Sequence, residues 1–514
     1  MPSQMKREYA ALPKGGQLKR SSFDLSRRHL TSHHGGWLVP IFWGWLFPGD
    51  VIKGRYQAFL RASSSLEFPL FDNLKLTIHT YFCPIRILWD NARKFFGEQD
   101  DPGDSIDYTL PTLGMSNSHD TSLASLGNHL KRYLGVPVQT AAQGGVDLED
   151  IGAIPFRAYN KIFNWHYRDQ NQQNSVDEQS DDGPDDATGM KYQIMFRGKR
   201  HDRFTSLLAA PQKGDAVPVS MDVRVNVAAG GNIGLYSEQT TDDRRIDTGA
   251  AQADVSAASV ASQNEVMHTE LLINDLRNAA AIQQFLERDN RYGTRYDEVI
   301  LAHYGVEFND IRIAPVFLGG GSGYISTSAI PNQSGTGTLG DLAAIATGVL
   351  DGAGFTYAVD EPGIYMTIAN VSADLSYSQG LERKHLYRTR YEMFFPEFTG
   401  VGDQSVTMKE LYYQNDANDE TVMGYEPRYE ELRTEVNRVS GEFDPNDLAT
   451  LEVMHLSEDL GSQPVLGDTW IKDSTPYNRM LRVTTQHHFL ADYKAQIRVA
   501  RALPVNGVPG MGRI

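Results

Sequence analysis

A single cysteine, Cys83, stands in 514 residues, and it lies in an apolar run, TYFCP. That scarcity excludes an intramolecular disulfide framework and any multi-cysteine zinc site, and it fits synthesis in a reducing compartment. The thiol reads as buried and inert. Long hydrophobic runs are equally scarce. The most apolar one, Leu38–Phe47 (LVPIFWGWLF), is too short to span a bilayer, and Pro40 interrupts it. Basic residues before it imitate a secretory signal, but no small-residue cleavage site follows, and Trp37, Trp43 and Trp45 suit packing or an interface. Positive charge is in deficit: 48 Lys and Arg against 65 Asp and Glu leave a net charge of −17. A dedicated nucleic-acid binder would show a basic domain, so the balance argues against one. Internal repeats are absent.

Catalytic signatures are lacking as well. Gly335–Gly340 (GTGTLG) has the spacing of a dinucleotide fingerprint, but it follows the turn-rich SAIPNQS instead of a strand, so it reads as a flexible loop. Phe317–Gly323 (FLGGGSG) lacks the Gly-Lys-Ser/Thr ending of a phosphate-binding loop and reads as backbone packed closely against a neighbour. No His-Glu-x-x-His motif occurs among 14 histidines. The adjacent pairs His33–His34 and His487–His488 are expected to point to opposite faces of a strand, which prevents either pair from ligating one ion. His201–Asp202 reads as a structural hydrogen bond. Glu430–Glu431 is a pair that 65 acids produce by chance. No catalytic residue, metal or cofactor is expected, and the chain is not expected to be an enzyme.

What the chain does have is period-2 alternation. Leu74–Phe82, Met190–Phe196, Met221–Val227, Ile364–Val371, Leu481–Phe489 and Gln496–Ala500 alternate apolar and polar residues, as half-buried antiparallel strands require. Scattered over four hundred residues, they predict an all-β chain: one antiparallel jelly-roll sandwich with long insertions. Helical spacing is confined to Ser122–Gly135, Met267–Arg288 and Tyr296–Val306, the last ended by Gly305. Asp169–Gly189 is polar and acidic, and Ala228–Gln263 is rich in Gly, Ala, Ser and Thr; both read as surface loops or partly disordered segments. The expected organisation is a basic arm and apolar anchor over 1–50, then one jelly-roll domain over 51–514 carrying the 169–189 and 228–263 insertions. The arm holds Lys6, Arg7, Lys14, Lys19, Arg20, Arg27 and Arg28 against Glu8 and Asp24. It reads either as the DNA-facing side of a shell protein or as an ordinary basic terminus.

Pro155–Asp169 (PFRAYNKIFNWHYRD) and Arg197–Val219 (RGKRHDRFTSLLAAPQKGDAVPV) are dense in aromatics, Arg and Asn, the residue types that anchor protein–protein contacts. Three clusters stand out as candidate interface anchors: Arg157, Tyr159, Asn160, Trp165, Tyr167 and Arg168; Arg197, Arg200, His201 and Phe204; and Tyr425, Arg428 and Tyr429. Internal packing within one subunit is the alternative for all three. Lys384–Phe395 (KHLYRTRYEMFF) reads as a basic–aromatic patch for single-stranded DNA, as a subunit interface or as a half-buried strand.

The two dense stretches resemble blocks of the major capsid proteins of Microviridae, the small single-stranded-DNA phages, with the gokushovirus-like branch nearest. Arg20–Ser26 with Leu38–Pro40 and Phe47–Asp50, then Thr77–Asn91, Phe285–Val306, Phe317–Gly323, Leu339–Ala343, Asp374–Arg383, and Met423–Arg433 with Ser440–Phe443 follow in the family's order. Together they span roughly residues 20–445. The resemblance implies a viral jelly roll that self-assembles, through pentamer intermediates, into the simplest icosahedral shell around a circular genome. The implied partners are copies of the chain, a small basic DNA-binding protein, scaffolding and pilot proteins, the single-stranded DNA genome and a host surface receptor. The implied location is the virion, assembled in the bacterial cytoplasm. In that branch the region after the PQKG block is a variable insertion projecting near the threefold axes; here it corresponds to 228–263, which is short for the branch. A different class, a jelly-roll carbohydrate-binding protein or glycoside-active enzyme, is the competing expectation.

Overall fold

The computed structural model describes residues 20–114, 126–137, 151–185, 191–215, 217, 235–237, 240–244, 273–292, 295–306, 313–331, 342–447 and 450–505. Ala210–Gly305 forms one compact unit and the remainder of the chain forms the other. The strands are β1 (Ser21–Asp24), β2 (Arg27–His33), β3 (Val39–Leu46), β4 (Val51–Ala62), β5 (Leu74–Pro84), β6 (Leu235–Ser237), β7 (Thr240–Arg244), β8 (Val316–Pro331), β9 (Leu342–Ala358), β10 (Gly363–Ala373), β11 (Asp403–Thr407), β12 (Val422–Pro427) and β13 (Phe489–Arg501). The helices are α1 (Ala92–Phe95), α2 (Leu126–Tyr133), α3 (Ile154–Ile162), α4 (Ile273–Tyr292), α5 (Tyr296–Tyr304) and α6 (Asp468–Ile471).

In the larger unit one antiparallel sheet runs β1-β13-β4-β9-β8-β5-β10-β3, with β2 also pairing β13. Apart from the β8–β9 hairpin, strands that follow one another in sequence are not paired in this sheet, and β2-β13-β4-β9 and β3-β10-β5-β8 form the two four-stranded halves of a jelly roll. Side chains show that the halves face each other. Tyr56 Oη on β4 lies 2.6 Å from Thr367 Oγ1 on β10, and Phe42 on β3 stacks on Tyr56 with centroids 5.8 Å apart. The sheet rolls until its edges meet: Arg27 donates to the Trp43 carbonyl (2.5 Å), His29 Nδ1 bonds the Ile41 carbonyl (2.8 Å), and Arg501 donates to the Trp45 carbonyl (3.1 Å).

Alternation explains most of the roll. On β13, Phe489, Ala491, Tyr493, Ala495, Ile497 and Val499 are buried, while Lys494, Gln496 and Arg498 face water. β4 repeats the pattern with Ile52, Tyr56, Ala58 and Leu60 inside and Lys53, Arg55 and Arg61 outside. The glycine run of β8 lies between β5 and β9, where a Cβ on Gly320 would stand 2.5 Å from the Ile78 carbonyl oxygen. It is close-packed backbone, as expected.

Several expectations need correction. β10 is buried at every position, so Ile364–Val371 has no solvated face; α3 packs against β10 and β5. Lys191–Phe196 and Leu481–His488 are irregular: the first buries Tyr192, Ile194 and Met195, and the second buries Leu481 and His488 while residues 482–486 are exposed. Residues 20–46 are not a separate arm, because β1 and β2 pair with β13 and β3 pairs with β10. The acidic segment folds back on the core over 169–185, where Gln173 and Asp185 are buried. Met221–Val227, Gly335–Gly340 and most of 228–263 lie outside the described residues. A second hydrophobic cluster gathers Phe204, Leu207, Leu375, Tyr377, Val406, Met408, Leu411 and Trp470 beside the β11–β12 hairpin.

The smaller unit holds the β6–β7 hairpin and helices α4 and α5. α5 ends at Gly305, whose left-handed φ of 67° suits glycine. His303 Nε2 bonds Asp289 (2.7 Å), and the His303 ring stacks on Phe285. Of the expected Met267–Arg288 helix, the part from Ile273 is helical and continues to Tyr292. Among the described residues, no helix is long and apolar enough to cross a membrane.

Candidate interaction surfaces and buried polar clusters

The first dense block folds as α3, with proline in its first turn, and runs on into a wider π-type turn over Phe163–Tyr167. Arg157 is buried and donates from Nε to Asp185 (2.9 Å) and from Nη1 to the Leu88 carbonyl (3.1 Å); Tyr192 Oη donates to the same Asp185 (2.5 Å). Burial disfavours the Arg157 cation, but the Asp185 hydrogen bond and charge outweigh it and hold it protonated. Tyr159 Oη donates to the Leu38 carbonyl (2.7 Å) and accepts from Met195 N–H (2.9 Å). Asn160 donates to the Asp177 and Lys191 carbonyls. These three side chains thus bind the insertion to the roll inside one subunit. Trp165 and Tyr167 are half-buried, with Tyr167 Oη 2.9 Å from His79 Nδ1, and Arg168 donates to the Gln173 carbonyl (2.9 Å).

Three resembling blocks, 197–208, 374–383 and 423–433, converge on a buried ionic network that sequence reasoning missed. Arg203 Nε and Nη2 hold Glu426 in a fork (2.9 and 2.7 Å), and Nη2 also reaches Glu410 (2.6 Å). Arg383 donates to the other Glu410 oxygen (3.0 Å), and Gln404 bridges Glu426 and Glu431 (2.8 and 2.7 Å). Arg203, Glu410 and Glu426 have side chains 6%, 2% and 3% exposed. Burial raises Glu426 above the usual carboxylate range, and Arg203 opposes that rise; burial disfavours the Arg203 cation, yet its two carboxylates keep it firmly charged. The network pins the hairpin to the second core and leaves no carboxylate pair free for acid–base work. Glu431 belongs to it through Tyr387 (2.6 Å), whereas Glu430 pairs with Arg433.

Elsewhere in the predicted clusters, Arg197 donates to Asn370 (3.2 Å), Arg200 pairs with Asp374, His201 is exposed, and Phe204 lies in the second core. Asp202 caps its own turn through Thr205 and accepts from Tyr377 Oη (2.7 Å), so its bonds are structural and His201 is not among its partners. Tyr425 pairs by backbone with Leu208, and Arg428 and Tyr429 support the Tyr391–Phe395 segment. That segment, part of Lys384–Phe395, forms turns and not a strand.

The histidines meet across the chain in a way that the adjacent-pair reading did not consider. His33 ends β2 and His487–His488 precede β13, so the pairs meet each other. The His34 ring centroid lies 4.9 Å from His487 and 4.2 Å from His488, and His129 lies 5.1 Å from His487. Trp37 covers the group at 4.6 Å from His34. Burial pushes His33 and His34 down to about 4, and His487 and His488 to about 3, so these four rings are neutral near pH 7. No group of three or more ligating side chains among the described residues is arranged to hold a metal ion.

Of the basic residues expected to face DNA, Lys6, Arg7, Lys14 and Lys19 lie outside the described residues. Arg27 spends a guanidinium bond on closing the roll, and Arg28 forms an exposed two-bond pair with Asp492 (both 2.6 Å). Arg20 is exposed and immediately precedes β1. Arg28 shares the solvent face of the β2-β13-β4-β9 half with Lys53, Arg55, Arg61, Lys494 and Arg498.

A family model described as "Capsid protein (F protein)" matches residues 12–511. The chain is 30% identical to "Capsid protein VP1" of Chlamydia phage 1, over 100% of this chain and 99% of that protein. It is 33% identical to "Capsid protein VP1" of Bdellovibrio phage phiMH2K over 92% of each chain, and 26% identical to "Capsid protein VP1" of Spiroplasma virus 4 over 98% of this chain and 97% of that one.

Proposed function

Because this chain belongs to the F-protein family of phage capsid proteins, we propose that copies of it close into the icosahedral shell of a small single-stranded-DNA phage. It is a major capsid protein. The observation that carries the reading is the jelly-roll strand order in a chain matched to that family over residues 12–511. Rigid wedges joined by heterologous contacts that close into rings generate a shell from one chain type. The role is structural and not catalytic, and the polar clusters are supports.

The shell is the simplest icosahedral one, built through fivefold intermediates in the bacterial cytoplasm around a circular genome. A small basic protein neutralises much of the DNA, which reconciles a chain of net charge −17 with packaging. Scaffolding and pilot proteins and a host receptor complete the partners. Trp165, Arg168, Arg200, His201 and Arg428 reach subunit contacts, a role supported by their partial or full exposure. Arg20, Arg28 and the basic residues sharing the β13–β4 solvent face meet the genome with little sequence preference.

The test is electron microscopy of the protein co-expressed with its scaffolding partner and pelleted through a density gradient. Uniform closed shells or pentamers are expected, and Trp165→Ala is expected to lower shell yield while leaving the subunit folded. A monodisperse small species despite the partner would overturn the reading.

A further inference from the structure

Shell subunits must bury surface against copies of themselves, and one segment of the larger unit is poorly suited to water. Tyr391 is 56% exposed, Met393 54%, Phe394 52%, Phe395 42% and Val401 64%. Scattered apolar exposure is ordinary on a monomer, but five large side chains displayed within one short segment mark an interaction site.

The segment is held in place and does not need to be ordered on binding. Buried Tyr429 takes a left-handed backbone (φ 64°), donates from Oη to the Met393 carbonyl (3.1 Å) and meets the Phe394 ring edge-on at 5.2 Å. Arg428 donates to the Tyr391 carbonyl (3.3 Å) and lies over the Phe398 ring. Glu392 accepts from the backbone N–H of Arg388 (2.5 Å) and Thr389 (3.2 Å). Two residues expected to be interface anchors, Arg428 and Tyr429, are therefore the struts of an adjacent aromatic knob. A preformed knob loses little conformational entropy on docking.

We infer that Tyr391–Val401 is a knob that docks onto a neighbouring copy of this chain in the shell, an inference that rests on the capsid reading. Its composition favours protein over nucleic acid. Met393 and Val401 offer no aromatic face for a base, and Lys384–Val401 holds three bases against two acids, too little to track a phosphate backbone. The exposed Arg388 and Arg390 at its rim complement the acidic surface that a copy of net charge −17 presents.

Met393→Cys in the full chain tests this by thiol alkylation. The native Cys83 is fully buried with its thiol pushed upward by desolvation, so the new thiol is the reactive one. Labelling is expected to be at least ~10-fold faster in subunits released from shells than in intact shells, whether filled or empty, because docking excludes the reagent. Equal labelling in shells and released subunits overturns the knob. Protection confined to genome-filled shells assigns the segment to DNA and overturns it too. Failure of the unmodified chain to form any shell would strike the capsid reading beneath it. As a second variant, Phe394→Ser is expected to unfold within about 2 °C of the parent, as exposed substitutions do, while shells fail to accumulate; normal shells would refute the inference.

Discussion

Arg203→Met would remove the cation that joins two carboxylates in the second core. Glu410 and Glu426 are 2% and 3% exposed, and both accept from Arg203 Nη2. Without it, Glu426 keeps only the Gln404 amide among its close donors, and Glu410 keeps Arg383 and the Thr407 N–H. Breaking a buried pair from one side costs about 3–5 kcal/mol, because the charge left behind has no solvent to replace its partner. A chain of 514 residues unfolds with an entropy of roughly 1 kcal/mol/K, so the midpoint should fall by about 3–5 °C. The triple variant Arg203→Met, Glu410→Gln, Glu426→Gln leaves no uncompensated charge and should recover most of that loss. The assay is thermal unfolding of the unassembled subunit followed by tryptophan fluorescence, since Trp470 lies in the same core. A single variant within about 1 °C of the parent, or a triple variant no better than the single, would refute a network held by mutual neutralisation.

Two further predictions concern a buried histidine and a closely approached glycine. His33 is enclosed, with its folded value pushed down to about 4 from 6.5. The unfolded chain therefore takes up the proton first; stability is complete above pH 6.5 and falls as pH drops towards 4, by about 3 kcal/mol from this residue at 1.4 kcal/mol per pH unit. Urea midpoints at pH 7 and pH 4.5 should differ less in His33→Gln than in the parent; an unchanged difference would remove His33 from the account. At Gly380 an added Cβ would stand 2.1 Å from the Glu410 carbonyl oxygen and 2.7 Å from its carbon, so backbone must move; at Gly461 nothing lies within 4 Å. Gly380→Ala should cost about 2 kcal/mol or more and Gly461→Ala about 0.5 or less, measured by urea unfolding. Equal effects would show that the close approach exerts no constraint.

The sequence by itself determined the class of the fold. The period-2 run Gln496–Ala500 requires a one-sided strand, and that requirement is local, because it depends only on which side of a strand each residue occupies; Leu74–Phe82 also alternates and also forms a strand, yet no position of β5 is fully exposed, because α3 covers its second face. The ordered blocks carried the family, and the lone Cys83 in an apolar strand was legible as an inert thiol. Tertiary structure decided what sequence separation hides. Arg203 finds its carboxylates 207 and 223 residues away, and no spacing rule links them. The same distance conceals the meeting of His34 with His487 and His488, because local reasoning weighed only the two members of each adjacent pair. It also hides the division of labour between Tyr429, which is buried and serves as a strut, and Phe394, which is exposed. Both are aromatic residues in conspicuous blocks, and only the packing around each determines which one is left for a partner.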